Sequence, residues 1–469
     1  MVMRIKKLLV ILLLLSCSRS GSKGALKPGE TWSGVYLTQK KIGYSVFKSQ
    51  ILPDGYKFIN RAKMRLKMME IESEINSTFS CNTDTGLGLK SFDMDFVSQQ
   101  RSFNAQGKIT DSKLAITIRS AGETKSKVLA VPQKLYPASI LSKVVAFQGI
   151  APGKEYKLKV FEPTILDIAE AQIKIEKREK IKIKNREYEA WKLQLAMLGL
   201  ATTMWIDSSG ETIKEESPPG IVMIVETPQE ALALESGSAL LDVLSLFSIR
   251  VDSLITDPRN LSYLKIKMNN IDTTDLSLSD ESQKIVSVDP LVLEIKGSVL
   301  PKKGMALPIA GPTEFLKPSL CIQSDNPKIK AKALNIIQGS KDGVEATSKI
   351  LNWVNQNVKK RATASLPSAV DVLANLEGDC NEHSVLFAAL ARAAGIPTKI
   401  AVGLVYLDNA FYYHAWNKVY LGEWVSLDPT FGQFPADATH IKIQEGELAE
   451  QAKVLKIVGK LKIDIIEFK

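Results

Sequence analysis

Gly378-Asp379-Cys380-Asn381-Glu382-His383-Ser384-Val385-Leu386-Phe387-Ala388-Ala389-Leu390-Ala391-Arg392-Ala393-Ala394-Gly395-Ile396-Pro397 reads as a helix from Cys380 to Ala394 with its own stop signal. Gly395 and Pro397 end it, and after the first turn Arg392 is its only charged residue. A helix apolar nearly all round is a buried one. Cys380 stands at its N-terminus, where unpaired backbone N–H groups and the helix dipole favour a thiolate. Gly378 lets the chain turn sharply into the helix and leaves room beside the sulfur.

Extended segments follow. Thr398 to Leu407 is rich in Val, Ile and Leu, Asp408-Asn409-Ala410 makes a turn, Phe411 to Tyr420 is β-like, and Glu423 to Thr430 is a third strand. Period two puts Tyr412, His414 and Trp416 on one face of their strand, as it does Trp424, Ser426 and Asp428 on theirs. His414 and Asp428 are each seven residues from Leu421. A hairpin pivoting on Tyr420-Leu421-Gly422 therefore sets imidazole opposite carboxylate, with the glycine in the left-handed position. A thiol, a base and an acid that fixes the base's tautomer are what nucleophilic acyl transfer requires. His383 competes for the role of base, three residues from Cys380 on the same helix face, but it lacks an acid partner, which favours His414. With three histidines and no paired Cys motif, neither a zinc site nor any other metal or cofactor is expected, and no loop is acidic enough for calcium.

Gly-Asp-Cys-Asn-Glu-His, then Tyr413-His414-Ala415-Trp416, then Val425-Ser426-Leu427-Asp428-Pro429-Thr430 resembles the transglutaminase-like superfamily of papain-type thiol enzymes, in particular its bacterial envelope members. The continuation from Phe431 to His440 is similar to that subgroup as well. The resemblance covers about residues 325–445. It implies Cys380 as nucleophile, His414 as general base and acid, and Asp428 as the residue that orients the histidine. Asn381, His383, Trp416 and His440 are candidates to line the cleft, with a structural hydrogen bond the favoured role for His440. The superfamily includes cross-linking enzymes, peptidases, amidases and inactive members, so two functions stay open. One is attack of Cys380 on an amide through a thioester, with helix-start N–H groups holding the oxyanion and hydrolysis favoured over cross-linking. The other is binding of peptide or wall polymer without turnover.

The amino end addresses the chain. Arg4, Lys6 and Lys7 precede an apolar run from Leu8 to Leu15. That run is too short to span a bilayer, which takes about 20 residues, and reads as a secretory signal. Leu14-Leu15-Ser16-Cys17 resembles a bacterial lipobox, which implies cleavage after residue 16 and acylation of Cys17; a plain signal peptide cut near Ser20 or Gly24 is the alternative. Residues 17–29 are then a lipidated tether, and the protein is secreted across the inner membrane and held by lipid in the cell envelope. The expected partners are that membrane and a peptide or protein amide, including cell-wall peptide.

The chain has 469 residues, 45% hydrophobic and 24% charged, with a formal charge of +10, enough for two or three globular domains. No Arg-rich cluster is present, and secretion argues against nucleic acid. The modest positive excess suits an anionic lipid surface. Cys81 and Cys321 are expected as unpaired thiols. The fold class is α+β: an N-terminal large antiparallel β-sheet region over 30–300, with a break near 228–250, a Pro/Gly-rich linker over 301–316, and a transglutaminase-like, papain-like α+β domain over 317–469. In that domain helices are expected over Lys328–Ile337, from Asp342 through Lys359, on to Leu376, and from Glu445 to Gly459, with a closing strand from Leu461 to Phe468. Oligomeric state is not legible.

Overall fold

Period-two alternation between Gly29 and Glu226 becomes one sheet, fifteen-stranded among the described residues. The computed structural model describes residues 26–469 apart from 69–70, 99–100, 121, 234–246, 362–367, 448–449 and 452. The expected signal, Cys17 and most of the tether lie outside the described residues, as does most of the expected break. No helix among the described residues is long and apolar enough to cross a membrane.

The first strand, Gly29–Leu37, lies in the middle of this sheet, between Lys40–Leu52 and Ile221–Glu226. One half meanders outward from it to an edge at Glu123–Ala130; the other half starts at Tyr136–Pro137 on the opposite edge and works back inward. Pairing is antiparallel except where Tyr136–Pro137 joins Glu155–Glu162. Strand twist accumulates, so sheets wider than about ten strands curl. This one curls until its halves meet, though its edge strands do not pair: Phe92 from one half stacks on Phe161 from the other at 4.4 Å between ring centroids. The helix Leu141–Gln148 buries Leu141, Val144 and Val145 in the core so formed.

Residues 249–300, read from sequence as the tail of this β region, pair and pack elsewhere. Ile249 and Arg250 add to the strand that carries His414. Tyr263–Asn269 pairs on one side with Leu291–Lys296 and on the other with the closing strand Lys462–Phe468. Leu264, Ile266 and Leu293 share a core with Phe387 and Ile441. Asp280 forms ion pairs with the buried Lys418 at 2.9 Å and Lys442 at 3.1 Å. A short β run carries no local mark of its partner strand, and here the partner is nearly two hundred positions away. The stretch expected as a linker is also tied down: the Ile309 N–H donates to the Gly395 carbonyl at 2.9 Å and the Gly343 N–H to Met305 at 2.7 Å.

Helices before the thiol form close to where capping residues put them. Asn326 caps Pro327–Ile337, and Asp342 caps Gly343–Asn357, accepting from the Glu345 N–H at 3.0 Å. Ile350, Leu351 and Val354 bury one stripe of the second helix. Ala369–Asn375 ends on Leu376 in the left-handed conformation. The helix expected from Glu445 is absent in its first part. Ile441–Glu445 is a strand, Gly446 at φ +133° turns the chain, and Lys453–Ile457 is a 3-10 turn.

Candidate active site

The thiol helix, Cys380–Ala393, is started by Asp379. Its carboxylate accepts from the Asn381 N–H at 2.8 Å, and Glu382 accepts from the Asp379 N–H at 3.1 Å, a reciprocal capping box. Every residue from Glu382 to Ala391 is buried. Gly378 is required by packing, since a Cβ there would lie 2.2 Å from that of Glu382. Asn417 Nδ2 donates to the Ser384 carbonyl at 3.0 Å, which locks the strand Ala410–Tyr420 against the helix. Cys380 is a free, half-buried thiol whose sulfur accepts from the backbone N–H of Ala415, the residue after His414.

His414 Nε2 lies 2.7 Å from Asp428 Oδ2. The contact expected from sequence forms, but by another route. Tyr420 pairs with Trp424 and Asn417 with Leu427, so the hairpin turns on Leu421-Gly422-Glu423, one residue later than expected. Gly422 does take the positive φ, +98°. In this register His414 and Asp428 are not cross-strand partners. The ladder ends at Leu427, and Asp428 opens a tight turn, bridging Gln433. Its Oδ1 accepts from the Thr430 N–H at 2.7 Å and the Phe431 N–H at 3.1 Å, leaving Oδ2 for the imidazole. A diagonal neighbour on the same sheet face lies close enough to make such a bond.

A second histidine shares the carboxylate. His440 Nε2 is 3.0 Å from Asp428 Oδ2, and its Nδ1 is 3.4 Å from Asp437 Oδ1. Arg259 continues the chain, with Nη1 3.2 Å from Asp437 Oδ2 and its guanidinium over the Phe431 ring at 4.6 Å. Phe431 in turn stacks on His414 at 5.1 Å. Sequence reading gave His440 a cleft-lining or structural role and missed Arg259, which sits in a segment assigned to the β region. Burial opposes charge on His440, but Asp428 and Asp437 more than offset it and push its imidazole up to about 9. Burial likewise opposes the Asp428 anion, and the two imidazoles overcome it, holding this carboxyl well below the usual range.

The thiol departs from expectation. Burial first, then the Asp379 carboxylate, push the Cys380 thiol well above its ordinary value against the opposing Ala415 N–H. The helix-start N–H groups expected to favour the thiolate and hold an oxyanion are partly committed, because Asp379 caps those of Asn381 and Glu382. His383 is taken up by the main chain: Nδ1 is 2.7 Å from the Asp379 carbonyl and Nε2 3.2 Å from that of Val358. Burial lowers its basicity. Trp416 stacks against His414, and Asn381 stands half-buried at the helix start. His414, Asp428 and His440 bring potential ligand atoms within 4.8 Å of one another, a trio within reach of a metal. In the arrangement described, both imidazoles are engaged with the carboxylate through Nε2.

A thiol at a buried helix start, set against a strand whose histidine is held by a carboxylate, is the arrangement that the sequence resemblance implied. The family model described as the transglutaminase-like superfamily matches residues 330–429, the segment that carries the thiol helix, His414 and Asp428. The comparison with curated proteins finds no match. Among solved structures, one described as a candidate cysteine protease from Cytophaga hutchinsonii is similar at 20% identity, over 45% of this chain and 87% of that one, with a TM-score of 0.33. The periplasmic domain of TgpA from Pseudomonas aeruginosa, bound to ethylmercury, is 14% identical over 39% of this chain and 89% of its own, at 0.29. A β-barrel-like protein of a domain of unknown function from Brucella abortus is 12% identical over 43% and 96%, at 0.36.

Proposed function

We propose that this protein is a cell-envelope enzyme that opens peptide-like amides with Cys380, using His414 as base and acid and Asp428 to orient it. One contact carries the reading: the 2.7 Å bond from His414 Nε2 to Asp428 fixes the imidazole and leaves Nδ1 as its free nitrogen. The Cys380 sulfur, held at the neighbouring Ala415 N–H, lies beside the same strand. The thiol starts neutral. As sulfur attacks the amide carbonyl, His414 Nδ1 takes the thiol proton, a C–S bond forms and the carbonyl oxygen becomes an oxyanion, for which the Cys380 N–H is the helix-start donor that Asp379 does not cap. Collapse breaks the C–N bond, the imidazolium protonates the departing amine, and a thioester remains. Water activated by His414 then releases the acid; a lysine amine in place of water yields a cross-link. Hydrolysis is the favoured outcome, with envelope peptide the substrate class. Acylated Cys17 anchors the protein, so Cys17→Ala is expected to leave the membrane fraction and lose fatty-acid labelling.

The raised thiol favours one competing reading, a cleft that binds peptide without turnover. Release of amine from peptide amides and incorporation of a fluorescent amine into casein are assayed for wild type, Cys380→Ala and His414→Ala. Turnover in wild type alone supports the enzyme. Absence of both activities, with Cys380 alkylated in the folded protein no faster when His414 is present than in His414→Ala, supports the binder.

A further inference from the structure

The concave face of the fifteen-stranded sheet holds a cavity of about 340 Å³, far from the thiol in sequence and built wholly from residues between Thr31 and Met223. Its volume falls within the range of small-molecule sites, about 300–1,000 Å³. Glu162, Glu211 and Glu215 line it together with Phe47, Leu195, Met204 and Met223. Glu211 is paired with the buried Lys143. The other two carboxylates have no cation within ion-pair reach among the described residues. Glu162 is only 8% exposed; one of its oxygens accepts both bonds from Thr164, and its other oxygen is unpartnered. Glu215 accepts from the Ser217 hydroxyl through one oxygen at 3.1 Å and likewise keeps the other free. Burial raises both carboxyls, as it must for acids withdrawn from water without a countercharge.

Two carboxyl groups without a cation, in a cavity otherwise lined by apolar and hydroxyl side chains, Asn60 and the paired Glu211, form a mismatch that a cation removes. A hard divalent ion is a poor fit, because calcium takes six to eight oxygens, and alkyl and thioether groups make up much of this wall. An ammonium has three donors to offer and can carry a stem for the apolar side.

We propose that this cavity binds a primary alkylammonium group, its ammonium donating to the free oxygens of Glu162 and Glu215 and its aliphatic stem lying against Phe47, Leu195, Met204 and Met223. A free amine and a lysine side chain present the same chemistry. Hexylamine, hexanol and Nα-acetyl-lysinamide are titrated calorimetrically into the full chain and into Glu162→Gln and Glu215→Gln. Saturable binding of hexylamine or acetyl-lysinamide is expected, with hexanol and each Gln variant weaker by about tenfold to a hundredfold, the worth of one charge-assisted hydrogen bond. The tighter of the two amines identifies the source. Methyl-labelled methionine spectra are expected to shift at Met204 and Met223 on titration, and unchanged unfolding midpoints show that the variants fold. Equal binding of hexanol, undiminished binding by both folded variants, or no binding of either amine overturns the proposal.

Discussion

At the scale of single residues, the decisive object is the carboxylate of Asp428, fully buried and shared by two imidazoles. If it holds His414 in one tautomer, Asp428→Asn keeps the volume and loses the orientation, and turnover is expected to fall by about 10² to 10⁴ with the fold retained. Loss of less than tenfold, measured on the same amide substrate, sinks its role as orienting group. His440 makes a different prediction, about stability. Its imidazole is raised from 6.5 to about 9. A group raised on folding stabilises fully below its unfolded value and loses that contribution as pH climbs through its folded one. Wild type should therefore lose stability on the order of 2–3 kcal/mol between about pH 6.5 and 9, and His440→Gln should lack this loss. Urea unfolding at pH 6 and pH 9.5 checks it; parallel pH profiles for the two proteins would remove His440 as the titrating group.

At the scale of elements, the closing strand matters most. Lys462–Phe468 has Tyr263–Asn269 as its ladder partner, and Asp280 neutralises two buried lysines on the strands around the site. A fragment starting at 317 keeps the thiol helix and hairpin but exposes the face that Leu264, Ile266 and Leu293 cover. It also takes Asp280 and Glu281 from Lys418 and Asp280 from Lys442, leaving both lysines to Glu445, and breaking a buried ion pair costs about 3–5 kcal/mol. We expect 317–469 to show no cooperative unfolding transition and 249–469 to show one. Equally sharp transitions for both would mean that the strands from 263 to 296 are dispensable.

At the scale of the whole molecule, the two cores each hold a silent thiol. Cys81 is buried in the curled sheet and Cys321 in the core around the thiol helix, each 2% exposed. Burial pushes Cys81 up to about 12 and Cys321 higher still. All three thiols are raised, but Cys380 is half-buried where the other two are buried, so iodoacetamide at pH 8.5 is expected to label Cys380 slowly in the folded protein and to reach Cys81 and Cys321 only in denaturant. Mass spectrometry of the labelled peptides decides it, and early labelling of either core thiol would show that its core opens. The halves also touch: the Ser120 hydroxyl donates to Asp371, and Lys328 pairs with Glu123 at 3.3 Å.

What the sequence determined by itself was local. The thiol helix with its stop at Gly395, the caps at Asp379 and Asp342, the alternation that makes strands and the face shared by His414 and Trp416 all depend on neighbours within one turn or one hairpin. Tertiary structure decided the rest, because it turned on burial and distant pairing. The hairpin register slipped by one, and the carboxylate still reached its histidine through a turn that spacing alone does not describe. Arg259 joined the site from outside the motifs, and the contacts of His440 with Asp428 and Asp437 formed only in the packed fold. The segment 249–300 found its partners across the chain. The Cys380 thiol is pushed up rather than down: a helix start favours the anion locally, but the desolvation and the neighbouring carboxylate that outweigh it exist only once the chain is packed.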